Sequence, residues 1–221
     1  NNKCAYEYRK SLGVELASET DLKADLIVPV PDSGVPAALG YADKSNKKFE
    51  LGLIRNHYVG RTFIEPTQSI RSLGVKLKLS STKTIVKNKI IILIDDSLVR
   101  GTTCHKIVKM LYESGAKEVH VRIACPEIKY PDFYGVDMPT KSELLANGKS
   151  NQEMCDYIRA KTLKFLSLEG MYKALIGETR NPNYPQFSDH YFTGDYPVKP
   201  QDNIEGLKIK QLSLLSGKSN N

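Results

Sequence analysis

Apolar residues along this chain fall into a few short unbroken runs, separated by stretches in which they recur at helical spacing. Asp25 to Val30, apolar from Leu26 onward, and the five aliphatic residues Ile90 to Ile94 predict strands of a parallel sheet, because an unbroken apolar run fits a strand buried on both faces. Phe49 to Ile54 and Glu118 to Cys125 predict two more, and Leu163 to Leu168 a last one. Between them the spacing predicts helices. Leu12, Leu16 and Leu22 give Ser11 to Ala24 an amphipathic face. Pro36 stands near the start of a helix reaching Asp43, and Thr103 to Ser114 forms one that Gly115 stops. Beyond Pro126 the pattern weakens to short helices over Thr140 to Ala146, Asn151 to Ala160 and Glu169 to Ile176.

Alternating strand and helix predicts an α/β fold with a mainly parallel sheet flanked by helices. Arg55 to about Lys89 shows no sustained strand pattern, and a connection that long in a compact domain is usually functional. Residues 1–178 are expected to form one domain, with 1–24 as a lead-in helix. Residues 179–221 are expected to be a tail packing on it, its end disordered after a short helix over Leu207 to Leu215.

The junction after Ile94 carries the chemistry. The strand ends in two carboxylates, Asp95 and Asp96, followed by Ser97-Leu98-Val99-Arg100-Gly101-Thr102-Thr103 and then a helix. The carboxyl end of a central parallel strand is a ligand-binding edge, and a helix start with unpaired amides suits a phosphate. Carboxylates repel phosphate, so the acid pair must face sugar hydroxyls, a developing cation or a divalent metal. A ribose 5-phosphate satisfies both halves. A plain strand-to-turn junction would carry such acids too, but not the whole combination of apolar run, acid pair and Gly-Thr-Thr. The two Gly-Lys-Ser segments, at Gly148 and Gly217, lack the glycine a P-loop needs five positions earlier, where Glu143 and Leu212 stand. No Gly-x-Gly-x-x-Gly follows a strand pattern.

The acid pair and loop from Ile92 to Thr103 resemble the phosphoribosyl pyrophosphate (PRPP) loop of type I phosphoribosyltransferases. Further segments look most like the amidophosphoribosyltransferases within that family: Val28 to Gly34 with Pro36 to Ala42, Tyr58-Val59-Gly60-Arg61-Thr62-Phe63-Ile64, and Pro126-Glu127-Ile128 with Tyr134 to Asp137. The resemblance runs from about Ser11 to Gly177. It implies a type I phosphoribosyltransferase fold and the reaction of PRPP with ammonia, drawn from glutamine, to give 5-phosphoribosylamine and pyrophosphate, the first step of purine synthesis.

Several residue roles follow from the resemblance. Asp95 and Asp96 would bind the ribose hydroxyls, directly or through Mg2+, and steady positive charge at C1. Ser97, Val99, Arg100, Gly101, Thr102 and Thr103 would cradle the 5-phosphate. Asp32, Ser33 and Gly34 would form the pyrophosphate turn, with Ser33 on the metal. Arg55 to Thr84 would close over PRPP, bringing Arg55, His57, Tyr58 and Arg61 to the ligand, while Phe63 and Ile64 would line an ammonia path. Purine nucleotides are implied as feedback inhibitors, and a homo-oligomer as the assembly.

In the same family a glutaminase domain precedes this one. Nothing in the sequence supplies it, so the chain is expected to be the C-terminal part of a longer protein. Some members hold an iron-sulfur cluster through cysteines; Asp132, Ser188 and Tyr191 stand where three of them would be, so no cluster is expected.

Composition narrows the setting. Cys4, Cys104, Cys125 and Cys155 are widely spaced and form no Cys-x-x-Cys, which predicts free thiols in a reducing cytoplasm. No apolar stretch approaches transmembrane length. The net charge of +7, with Lys76, Lys78, Lys83, Lys87 and Lys89 close together, suits steering of a multiply phosphorylated sugar. A nucleic-acid surface would show the same sign, but none is expected here, nor any membrane partner. A nucleobase-salvage phosphoribosyltransferase and a PRPP-sensing regulator are the alternatives. The first would need base-stacking aromatics over C1, and no such set is assignable from the sequence.

Overall fold

A computed structural model describes residues 4–56, 79–136 and 140–198. In chain order the elements are α1 (Ala5–Thr20), β1 (Leu26–Pro29), α2 (Val35–Ser45), β2 (Lys48–Phe49), β3 (Leu53–Arg55), β4 (Leu79–Ser81) and α3 (Lys83–Val86). They continue with β5 (Ile90–Asp95), α4 (Thr102–Glu113), β6 (Glu118–Ile123), a 3-10 turn (Lys141–Glu143), α5 (Asn151–Ile158), β7 (Thr162–Phe165), α6 (Leu168–Ile176) and α7 (His190–Thr193).

The main sheet has the order β2-β1-β5-β6-β7, and every pairing in it is parallel. Strand alternation divides its side chains between two cores. Val28, Ile91, Leu93, Val119 and Val121 face Ile107 and Leu111 of α4 and Met154 and Ile158 of α5. Ile27, Ile92 and Ile94 face Leu16 of α1, Tyr41 of α2 and Tyr172 of α6. Both faces are covered, which is why β1 and β5 read as continuous apolar runs. On the α1 side β6 carries Arg122, buried and satisfied by the Thr20 carbonyl at 3.0 Å and the Thr162 hydroxyl at 3.0 Å.

Helices α1 and α2 cross at backbone distance. A Cβ on Gly13 would lie 1.9 Å from the Ala37 carbonyl oxygen, and one on Gly40 would lie 2.0 Å from that of Lys10. Only glycine permits that approach. It locks the lead-in helix onto the helix that follows the β1 turn.

Several boundaries differ from the sequence-based expectation. Helix α1 runs Ala5–Thr20 rather than from Ser11 to Ala24, closed at its start by a capping box between Cys4 and Glu7. The strand expected over Phe49 to Ile54 breaks at Leu51-Gly52, so β2 joins the main sheet while β3 leaves it. The stretch from Arg55 to Lys89 contains a strand after all: β4 pairs antiparallel with β3, Leu53 opposite Ser81 and Arg55 opposite Leu79. Its three residues are too short to show a period. Thr140 to Ala146 forms only the single 3-10 turn. The stretch after Thr179, expected to be irregular, contains α7. The helix expected over Leu207 to Leu215 lies outside the described residues. No described helix is long and apolar enough to cross a membrane.

Candidate active site

Two loops leave the carboxyl edge of the sheet side by side. β1 and β5 are neighbours in register, Pro29 opposite Ile94, and the pairing continues one step further as the Val30 amide donates to the Ile94 carbonyl at 2.8 Å. The chain after β1 turns into α2 against one core, and the chain after β5 into α4 against the other. Connections diverging from adjacent strands leave a crevice at a topological switch point. Asp32, Ser33 and Gly34 form one lip of it, and Asp95 to Thr103 the other.

The first turn is pressed onto the strand ends. A Cβ on Gly34 would lie 2.6 Å from the Ile94 carbonyl oxygen and 2.8 Å from that of Val30. Helix α2 then starts without a side-chain cap, but the Gly34 and Val35 amides already donate to the Val30 and Asp32 carbonyls at 2.9 and 3.3 Å, and Pro36 has no amide proton. Asp32 is paired with Arg55 of β3 at 2.6 Å. This brings a residue from the strand hairpin to the turn after β1.

In the second loop the Asp96 amide donates to Asp95 Oδ1 at 2.9 Å, and the Ser97 hydroxyl donates to Asp96 Oδ1 at 3.2 Å. Burial, and then the charge of Asp96, push the Asp95 carboxyl well above the usual carboxylate range. An acid held in this way favours an incoming cation. Gly101 caps α4 at φ +74°, and a Cβ there would meet Leu145 Cδ2 at 2.6 Å. Both the left-handed backbone and the close neighbour require glycine. Helix α4 also starts without a side-chain cap, and the Leu145 amide fixes the loop by donating to the Val99 carbonyl at 2.8 Å. Arg100 points elsewhere: its Nε donates to Glu143 at 3.2 Å, on the surface.

Between the lips lies a cavity of about 310 Å³. Ser33, Asp96 and Ser97 border it, and so do Arg9 and Leu12 of α1, Cys125 and Ile128 after β6, and Tyr191 and Phe192 of α7. Its walls are mostly hydrocarbon. Burial, reinforced by Asp96 and Asp95, pushes the Cys125 thiol up, so it presents a neutral wall. Sequence reasoning missed Arg9, Cys125, Ile128, Tyr191 and Phe192 as site residues: Ile128 stands in a segment that carries the resemblance but was given no role, the others belong to no loop motif, and α7 lies almost a hundred positions beyond the acid pair. Tyr58 and Arg61, with His57, Phe63 and Ile64, lie outside the described residues.

The phosphoribosyl transferase domain family matches residues 10–132, a span holding both lips of the crevice. The chain belongs to that family. The chain is 55% identical over 212 residues to an amidophosphoribosyltransferase of Rhizobium etli, covering 96% of this chain and 43% of that protein. It is 52% identical over 197 residues to the chloroplastic amidophosphoribosyltransferase 2 of Arabidopsis thaliana, covering 89% and 34%. Among solved structures it is similar to the glutamine PRPP amidotransferase of B. subtilis complexed with ADP and GMP, with a TM-score of 0.79 and 46% identity, covering 90% of this chain and 44% of that one. The chain thus spans less than half the length of the relatives it matches.

Proposed function

We propose that this chain is the PRPP-using half of an amidophosphoribosyltransferase, joining ammonia to C1 of PRPP with release of pyrophosphate, the first step of purine synthesis. The observation that carries the proposal is the Val30 to Ile94 hydrogen bond, which sets an acid-rich loop with an uncapped helix start directly beside a turn that holds Arg55 through Asp32. A sugar with phosphate groups at both ends needs both.

In this reading the amides of Gly101, Thr102 and Thr103, with the hydroxyls of Ser97, Thr102 and Thr103, hold the 5-phosphate, Val99 shaping the loop through its carbonyl. Arg100 contributes to the cradle only if it leaves Glu143. Asp95 and Asp96 hold the ribose 2- and 3-hydroxyls. As the C1–O bond to pyrophosphate breaks, their negative charge stabilises the positive charge on the ring, and the ammonia lone pair then forms the C1–N bond. The ammonium proton lost afterwards passes to solvent. The turn at Asp32, Ser33 and Gly34 receives the departing pyrophosphate, with Arg55, held above it by Asp32, as a counter-charge. Tyr58 and Arg61 are assigned to the same ligand by resemblance.

The donor set suits magnesium. Two carboxylates and the Ser33 hydroxyl are hard oxygen ligands, and Mg2+ is usually held by one or two carboxylates completed by substrate oxygens. Ser33, Asp95 and Asp96 would hold it, and it would neutralise leaving-group charge.

The cavity supports a second ligand at the same site. At about 310 Å³ it exceeds what ammonia fills, since a water takes about 30 Å³ of liquid. A purine nucleoside monophosphate, its phosphate on the same loop, would place a flat base there and compete with PRPP. Ammonia from glutamine is assigned to a glutaminase domain of the parent protein, a homo-oligomer is expected as the assembly, and the reducing cytoplasm as the compartment.

An acceptor panel tests the reading. With Mg2+ and PRPP, ammonium should drive pyrophosphate release while adenine, guanine, hypoxanthine and orotate do not. Release driven by a nucleobase and not by ammonium would turn the assignment to a salvage enzyme.

A further inference from the structure

The side chains of Asp132 and His190 meet at 2.8 Å, 1% and 2% exposed, across 58 positions of chain. Asp132 is anchored on its own side, its second oxygen accepting the amides of Tyr134 at 2.9 Å and Val136 at 2.8 Å. The other ring nitrogen of His190 has no partner among the described residues. The bond to Asp132 therefore orients the ring. Beside it the Tyr191 carbonyl accepts the amides of Lys129 at 2.9 Å and Tyr130 at 3.1 Å. One buried side-chain pair and two backbone bonds staple α7 to the loop after β6.

What the staple holds is a wall of the cavity. Tyr191 and Phe192 follow His190 directly and line the space that Asp96 and Ser97 border on the opposite side. The Tyr191 ring lies 4.0 Å from that of His190, centroid to centroid. The family match ends at Asp132, so this wall is added from outside the shared domain. Phosphate and ribose are gripped by loops inside that domain. The wall can act only on what projects beyond C1.

We infer that Asp132 and His190 are a positioning pair that sets the aromatic wall against the base of a bound purine nucleotide, and so governs nucleotide inhibition without governing the grip on ribose phosphate. The inference rests on the proposed function, because it takes the site to bind a ribose 5-phosphate unit. Leucine in place of His190 fills the same space but removes the imidazole partner of Asp132, whereas glutamine can place an amide N–H where Nε2 stands.

Calorimetric titration of the full chain with GMP and with ribose 5-phosphate, both with Mg2+, separates the cases. The unmodified protein should bind GMP at least tenfold more tightly than ribose 5-phosphate. His190→Leu should lose at least tenfold in GMP affinity with ribose 5-phosphate unchanged within twofold, and His190→Gln should restore GMP binding to within about threefold. Tyr191→Ala, which removes the wall together with its own contacts to Asp132 and His190, should reproduce the His190→Leu pattern. Unchanged GMP binding in His190→Leu, or equal weakening of both ligands, would overturn the inference. So would equal affinity for the two ligands in the unmodified protein, although the site itself would stand. Failure of both ligands to bind the unmodified protein would remove the site and the inference together.

Discussion

The Val30 amide donates to the Ile94 carbonyl at 2.8 Å, so the turn after β1 and the acid loop after β5 leave the sheet as neighbours. Gly34 lies over this bond with no room for a side chain. Gly34→Ala must push the turn off the strand ends, because the atoms it meets are backbone. PRPP affinity should fall at least tenfold while the circular dichroism spectrum stays unchanged, as titration of both proteins would reveal.

Asp95 is held above the usual carboxylate range by burial and by Asp96, a cost to the fold that only a ligand offsets. Asp95→Asn should therefore lower the rate of pyrophosphate release by roughly 10²–10³, the usual cost of one charge-stabilising group, and leave the melting temperature equal or higher. Steady-state kinetics and thermal melts on the same preparation test both halves. A variant both inactive and less stable would mean that Asp95 serves the fold.

Arg55 and Asp32 form an ion pair with both side chains partly exposed, 38% and 55%. Such pairs contribute about 0–1 kcal/mol to stability, whereas a hydrogen bond to a charged ligand contributes about 1.5–3 kcal/mol. Arg55→Ala should thus raise the KM for PRPP roughly 10- to 100-fold, with a midpoint of urea unfolding close to that of the unmodified protein. Arg55→Lys should recover part of the loss.

Asp132 carries an acid-dependent part of the stability. Burial opposes its ionisation, but the amides of Val136 and Tyr134 and the imidazole of His190 outweigh this and hold its carboxyl at about 2. The folded value lies below the unfolded one, so the stabilisation is complete above about pH 4 and is lost as pH falls toward 2. Its size is roughly 2 kcal/mol. Urea unfolding between pH 7 and pH 3 should show this loss in the unmodified protein, and a shallower dependence in Asp132→Asn, which lacks the carboxylate throughout.

How much of this was legible in the sequence follows from how local each signal is. The apolar run at Ile90 to Ile94, the acids after it and the Gly-Thr-Thr helix start all lie within one strand-loop-helix unit, and the structure places them as read. The turn at Asp32 to Gly34 was legible for the same reason. Strand β4 was not, since its three residues depend on a partner strand for their conformation. Nor were Arg9, Tyr191 and Phe192, brought to the cavity by the crossing of α1 over α2 and by the Asp132 to His190 staple. Such long-range contacts leave no periodicity to read.

The proposed reaction forms a bond between C1 of PRPP and the nitrogen of ammonia. The most direct measurement is nuclear magnetic resonance of [1-13C]PRPP with Mg2+ and 15N-ammonium, recorded early in the reaction with the full chain. The predicted result is a C1 signal split by directly bonded 15N, rising in step with pyrophosphate and absent from Asp95→Asn. Pyrophosphate release with C1 bonded only to oxygen, or unaltered PRPP in a sample shown to bind it, would overturn the proposed reaction.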